Sequence, residues 1–92
     1  MNNLDENLTE FYKTIGSNVK RLREERGLTQ LELSQKMNFN SVGLIGQAEI
    51  YYNKQHFSLK HLYMMASILE CKLEDFFQDI VVMPLELDSN WL

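Results

Sequence analysis

The run Arg26-Gly27-Leu28-Thr29-Gln30-Leu31-Glu32 marks a helix end and a helix start within seven residues, and it constrains the fold more than any other feature. Thr29 followed by Glu32 is a capping box: the hydroxyl accepts from the amide three residues on, and the carboxylate reaches back to the cap amide. Gly27 ahead of it is the residue that takes the left-handed position closing a helix at least expense. Downstream, Leu33 and Met37 share a face, Asn38-Phe39-Asn40-Ser41 has turn composition, and Ser58-Leu59 restarts a helix bearing Leu62, Ala66 and Leu69. Upstream, Phe11, Ile15, Val19 and Leu22 recur at four, four and three on one face, which predicts a helix from about Thr9 to Arg26.

The expectation is an all-α chain of five helices: about 9 to 26, 30 to 37, 42 to 49 or 50, 59 to 70, and a short one at 73 to 78 with Phe76 and Phe77 closing the core. Residues 1 to 8 are polar and acidic and read as a flexible lead. Residues 79 to 92 form a C-terminal arm, β-rich over Ile80-Val81-Val82-Met83. Pro84 restricts it to an edge strand or an apolar arm.

Ninety-two residues make one domain with a modest core. No apolar run approaches membrane-spanning length and no charged-then-apolar leader is present, so a cytoplasmic protein is expected. The single Cys71, flanked by Glu70 and Glu74, reads as a structural thiol. His56 and His61 lack partner ligands, so no metal or cofactor is expected, and no nucleophile–base pairing suggests an enzyme. The net charge of −4 is unevenly distributed. From Lys13 to Lys60 there are eight basic residues against four acidic ones, whereas the remainder holds one lysine against nine acids. Charge acts locally, within ~10 Å, so a basic face coexists with acidic ends.

The order Val19-x-x-Leu22-Arg23-x-x-Arg26-Gly27-Leu28-Thr29-Gln30-x-x-Leu33-Ser34-x-Lys36-Met37 resembles the lambda-repressor/Cro-like helix-turn-helix family. Ser58-Leu59-x-x-Leu62-x-x-x-Ala66-x-x-Leu69 and Leu73-Glu74-Asp75-Phe76-Phe77 resemble that family's fourth and fifth helices. The likeness covers about residues 15 to 78. The chain departs from the pattern between Met37 and Ser58, which is some three residues longer. Setting Ala48-Glu49 on the family's apolar-Glu pair is preferred, because it buries Ile45 with Ala48; setting Ile50 there is the alternative register.

The resemblance implies a sequence-specific binder of duplex DNA, acting as a homodimeric transcriptional regulator of the repressor kind on a near-palindromic operator, without a small-molecule ligand. Base-reading positions would be Ser41, Val42, Gly43 and, one turn on, Gln47, whose carboxamide suits adenine. Gln47 as a plain surface residue and Val42 as a packing residue are the competing assignments. Phosphate contacts would come from Gln30, from Lys20 and Arg23 on the first helix, and from Asn53, Lys54 and Gln55 in the loop after the reading helix. Tyr51 and Tyr52 would support that loop or add a hydroxyl contact, with core packing the preferred reading. Ile80, Val81, Val82, Met83, Leu85, Leu87 and Trp91 exceed what the small core needs and would form the dimer interface, with an arm folded over its own domain as the alternative. The rival function is a protein-interaction module, such as an antitoxin-like partner, that keeps the fold with weak or no DNA reading. Two glycines and no basic residue in the reading helix favour it.

Overall fold

The computed structural model describes residues 3–41 and 43–85. Val42 and the arm residues Leu87 and Trp91, singled out above, lie outside the described residues. The fold is all-α. Among the described residues four α-helices follow in order: α1 (Leu4–Glu25), α2 (Gln30–Lys36), α3 (Gly43–Glu49) and α4 (Leu59–Ile68). Two 3-10 turns, Tyr52–Lys54 and Leu73–Phe77, follow α3 and α4. The expected fifth helix is therefore the second of these 3-10 turns. No described helix is long and apolar enough to cross a membrane.

The ends of the helices are set locally. The Asn3 side chain accepts from the Asp5 and Glu6 amides, and those two acids complement the positive end of α1. This cap starts α1 at Leu4, so residues 4 to 8 of the expected flexible lead belong to that helix. At the other end the Leu28 amide bonds the Arg23 carbonyl and the Gly27 amide bonds Glu24, with Gly27 at φ 69°. That is a Schellman motif. The same pairing closes α2 through Asn38 (Phe39 to Ser34, Asn38 to Gln35) and α4 through Glu70 (Cys71 to Ala66, Glu70 to Ser67).

Both capping boxes close. Thr29 Oγ1 accepts from Glu32 N, and Glu32 Oε1 accepts from Thr29 N, each at 3.0 Å. These hydrogen bonds hold the Glu32 carboxyl below its ordinary pKa. Ser58 and His61 form the second box: the hydroxyl accepts from His61 N at 3.1 Å, and His61 Nδ1 accepts from Ser58 N at 3.2 Å. Partial burial, then the Lys60 charge, lowers the His61 pKa, which favours the neutral imidazole that this acceptor role requires.

The core joins Ile15, Val19 and Leu22 of α1 to Leu33 and Met37, Ile45 and Ala48, Leu62, Met65 and Leu69, with Phe57 and Phe76 closing it. Ile45 and Ala48 are both buried, as the preferred register requires. Met65 takes the inward place expected of Ala66, which is half-buried. Phe11 and Phe77 pack partly buried at the margin.

Among the described residues no strand forms, so of the two readings of 80 to 83, edge strand or apolar arm, the structure has the arm. An edge strand needs a neighbouring backbone to pair with, and this segment lies beside a helix instead. Buried Asn18 ties down the chain just ahead of it, donating from Nδ2 to the carbonyls of Phe76 (2.9 Å) and Gln78 (2.8 Å). Ile80 is partly buried and packs against the core. Leu4, Leu8 and Phe11 of α1 face Val81, Met83 and Leu85 across an apolar groove of about 240 Å³.

α1 and α3 touch backbone to backbone. A Cβ added at Gly16 would stand 2.4 Å from the Glu49 carbonyl oxygen and 2.7 Å from that of Ala48. We expect Gly16→Ala to destabilise the domain by ~1–3 kcal/mol through overpacking, whereas Ser17→Ala on the exposed face next to it stays within ~0.5 kcal/mol. Urea midpoints of the two variants provide the check, and equal midpoints would show that the helices separate freely.

Candidate nucleic-acid interface

Three helices meet at one carboxylate. Glu49, the last residue of α3, is almost fully buried, with its side chain 1% exposed. Arg23 of α1 donates to it twice, Nε to Oε2 at 2.8 Å and Nη2 to Oε1 at 3.2 Å. Gln30, the first residue of α2, donates from Nε2 to Oε1 at 3.0 Å. The remaining Arg23 nitrogen, Nη1, donates to the Leu28 carbonyl at 2.7 Å. A charge this buried is tolerable only when paired and hydrogen-bonded, and here both conditions hold. Gly46 makes room for the arrangement, because a Cβ there would lie 3.0 Å from Gln30 Oε1.

The Arg23 geometry overturns one expectation. The resemblance makes Arg23 a phosphate contact, yet it is buried with its guanidinium engaged by Glu49 and Leu28. It lies four residues beyond Val19 and so shares the inward side of α1, a signal that the charge of the residue conceals.

The turn between α2 and α3 presents the outer edge of α3. Ser34 Oγ donates to the Ser41 carbonyl at 3.3 Å, and Ser41 Oγ accepts from Gly43 N at 3.3 Å. The Cβ position of Gly43 lies 3.5 Å from Ser41 Oγ and 3.9 Å from Gln47 Nε2. Ser41, Gly43 and Gln47 are therefore brought together, with Ser41 and Gln47 exposed. Ile50 and Tyr52 beyond them, and Leu31 on α2, are also exposed.

After α3 the backbone turns sharply. Tyr51, Asn53 and Lys54 all have positive φ (58°, 54° and 62°). Asparagine tolerates this region, but tyrosine and lysine each hold it against roughly 1–2 kcal/mol. Asn53, Lys54 and Gln55 are exposed here, as a phosphate-contacting loop would require. Tyr51 is half-buried, its ring stacked on Tyr12 at 5.4 Å and 14°, whereas Tyr52 is exposed. His56 also stacks on Tyr12, at 4.1 Å and 26°. Sequence reading missed this aromatic group, whose members lie some forty residues apart along the chain.

With Arg23 and Glu49 cancelling each other internally, the stretch from Lys13 to Lys60 keeps seven exposed basic residues against three exposed acids. Lys20 is among the former, in a shallow groove on α1 with Ser17 and Glu24. Arg21 is paired to Glu25 at 3.2 Å. Among the described residues no group of three or more His, Cys, Asp or Glu is placed to hold a metal ion. Partial burial, then Asp75, raises the Cys71 pKa, which disfavours a reactive thiolate. Compared with protein-family models, curated proteins and solved structures, the chain finds no match.

Replacing Arg23 by Met leaves the Glu49 carboxylate buried without its cation. The expected loss is ~3–5 kcal/mol, while the double variant Arg23→Met/Glu49→Leu recovers most of it. Thermal unfolding of the three proteins tests this. A single variant as stable as the parent would mean that water reaches Glu49.

Proposed function

We propose that this protein binds duplex DNA sequence-specifically as a homodimer and acts as a transcriptional regulator of the repressor kind. On this reading α2 and α3 are the two helices of a helix-turn-helix, and α3 enters the major groove. The observation that carries the proposal is the short polar edge of α3, held across α2 by the Gln30–Glu49 hydrogen bond, with Ser41 and Gln47 exposed at its open side. Gln47 reads a base edge, with Ser41 and Gly43 close to the same base pairs. Lys54, Asn53 and Gln55 contact phosphates from the loop, and Lys20 adds to the positive field. Gln30 keeps a second amide hydrogen for phosphate, since Nε2 carries two and Glu49 takes one. Arg23 serves the scaffold.

A second copy fits the apolar surface made by the first turns of α1 and the arm. Val81 is 75% and Val82 86% exposed, and Leu8 and Met83 are exposed beside them. Buried against their symmetry mates, these side chains leave water, and the pair presents two reading edges on one face of the duplex. The competing reading, a protein-interaction module, draws on the exposed Leu31, Ile50 and Tyr52 and on the lack of any basic residue in α3.

Selecting bound sequences from a random duplex library separates the two. The DNA reading expects a near-palindrome with half-sites ~34 Å apart. It also expects log K to fall with log salt by ~0.9 per neutralised phosphate. Lys54→Ala then removes about one unit of that slope without changing sequence preference, whereas Gln47→Ala costs ~1–3 kcal/mol on the best site and relaxes one base position. Failure to enrich any sequence, or affinity indifferent to salt, transfers the case to the interaction module.

Dimerisation is tested by truncation after Ile80, which spares the residue that packs on the core. The shortened chain should sediment as a monomer and lose operator affinity. A dimer of unchanged affinity would place the interface elsewhere.

A further inference from the structure

The loop that carries Asn53 and Lys54 is held from outside itself. Its own backbone bonds are two, Lys54 N to the Tyr51 carbonyl at 3.3 Å and Gln55 N to that of Tyr52 at 3.0 Å. Against them stand three left-handed residues, two of them a tyrosine and a lysine that do not favour the region. A conformation like this persists only where its surroundings over-determine it. The surroundings here are rings. Tyr12, in the middle of α1, takes Tyr51 at the start of the loop and His56 at its end, with centroids 5.4 Å and 4.1 Å away. His56 in turn bonds the Lys54 carbonyl through Nδ1 at 3.0 Å, so the lysine backbone is tied into the stack. Since Nδ1 meets a carbonyl oxygen, it carries the proton and donates.

We propose that Tyr12 is a positioning residue for nucleic-acid binding: it clamps both ends of the 51–56 loop to α1 and so presets Lys54 and Asn53 beside the end of α3. This inference rests on the DNA-binding reading. Without the clamp, Lys54 samples many orientations and must be ordered when it meets a phosphate; with it, that ordering is already complete. Tyr12 itself need touch no nucleic acid. Its ring, not its hydroxyl, makes the contacts described, so phenylalanine should substitute for it.

Two readouts keep the clamp and the DNA reading separable. In the free protein, hydrogen exchange at the Lys54 and Gln55 amides should accelerate about tenfold in Tyr12→Ala and in His56→Ala, with the core amides of α1 unchanged and Tyr12→Phe like the parent. Because His56 is exposed, His56→Ala keeps the fold if Tyr12→Ala does not. On the duplex chosen by library selection, Tyr12→Ala should weaken binding about fivefold, and that effect should shrink in a Lys54→Ala background, because Lys54 is one of the contacts through which Tyr12 acts. Unaltered exchange in both loop variants overturns the clamp. Faster exchange with unchanged affinity, or a Tyr12 effect that adds independently to that of Lys54, overturns the positioning role. A parent protein that binds no duplex, while exchange still responds, defeats the DNA reading and the positioning role together and leaves only the mechanical clamp.

Discussion

The burial of the Glu49 charge governs the geometry of the molecule. A carboxylate taken out of water must recover what hydration gave it, and every group that does so here belongs to a different helix. Arg23 fixes α1 against the end of α3, and Gln30 fixes the start of α2 against the same point. Apolar contacts alone would let these helices slide by fractions of a turn. The directionality of the hydrogen bonds removes that freedom, and the Gly16 contact sets the depth at which α1 and α3 meet. The outer edge of α3 thus inherits its orientation from an interaction on its inner side.

How much of this was legible in the sequence depended on the range of the interaction concerned. The Thr29–Glu32 cap and the Gly27 stop were plain because all the partners lie within five residues. The stripe Ile15, Val19 and Leu22 followed from period, and the buried pair Ile45 and Ala48 from the register that the family resemblance made preferable. Asn3 escaped notice because the residues after it are acidic, although acids in a first turn are what a helix start favours. His61 was missed as a cap partner because the usual residue there is Glu or Gln, yet a neutral imidazole nitrogen accepts equally well. Met65 was overlooked in favour of Ala66, though its spacing of three from Leu62 and four from Leu69 fits the same stripe.

Of the candidate site, the polar residues on the α3 edge were legible, and their support was not. Arg23 reads as a phosphate contact, since nothing in a single sequence announces that a glutamate twenty-six positions away will bury it. The aromatic group at Tyr12, Tyr51 and His56 is equally invisible without the fold. The arm was read as excess apolar surface, and that remains true of Val81 and Val82. Its inner part is different: Asn18 captures the carbonyls ahead of it, and Ile80 follows the chain into the core.

One consequence follows from the continuity of α1. The same unbroken 22-residue helix bears the apolar groove on its first turns, the stacking ring at Tyr12, the backbone contact at Gly16 and the guanidinium at Arg23. It is a lever arm with fittings at both ends and no proline to kink it. With a rise of ~1.5 Å per residue, a tilt of about one degree at Leu4 moves the Arg23 end by roughly 0.5 Å. Whatever grips the first turns therefore aims the far end, and the tolerance allowed there is a fraction of a bond length.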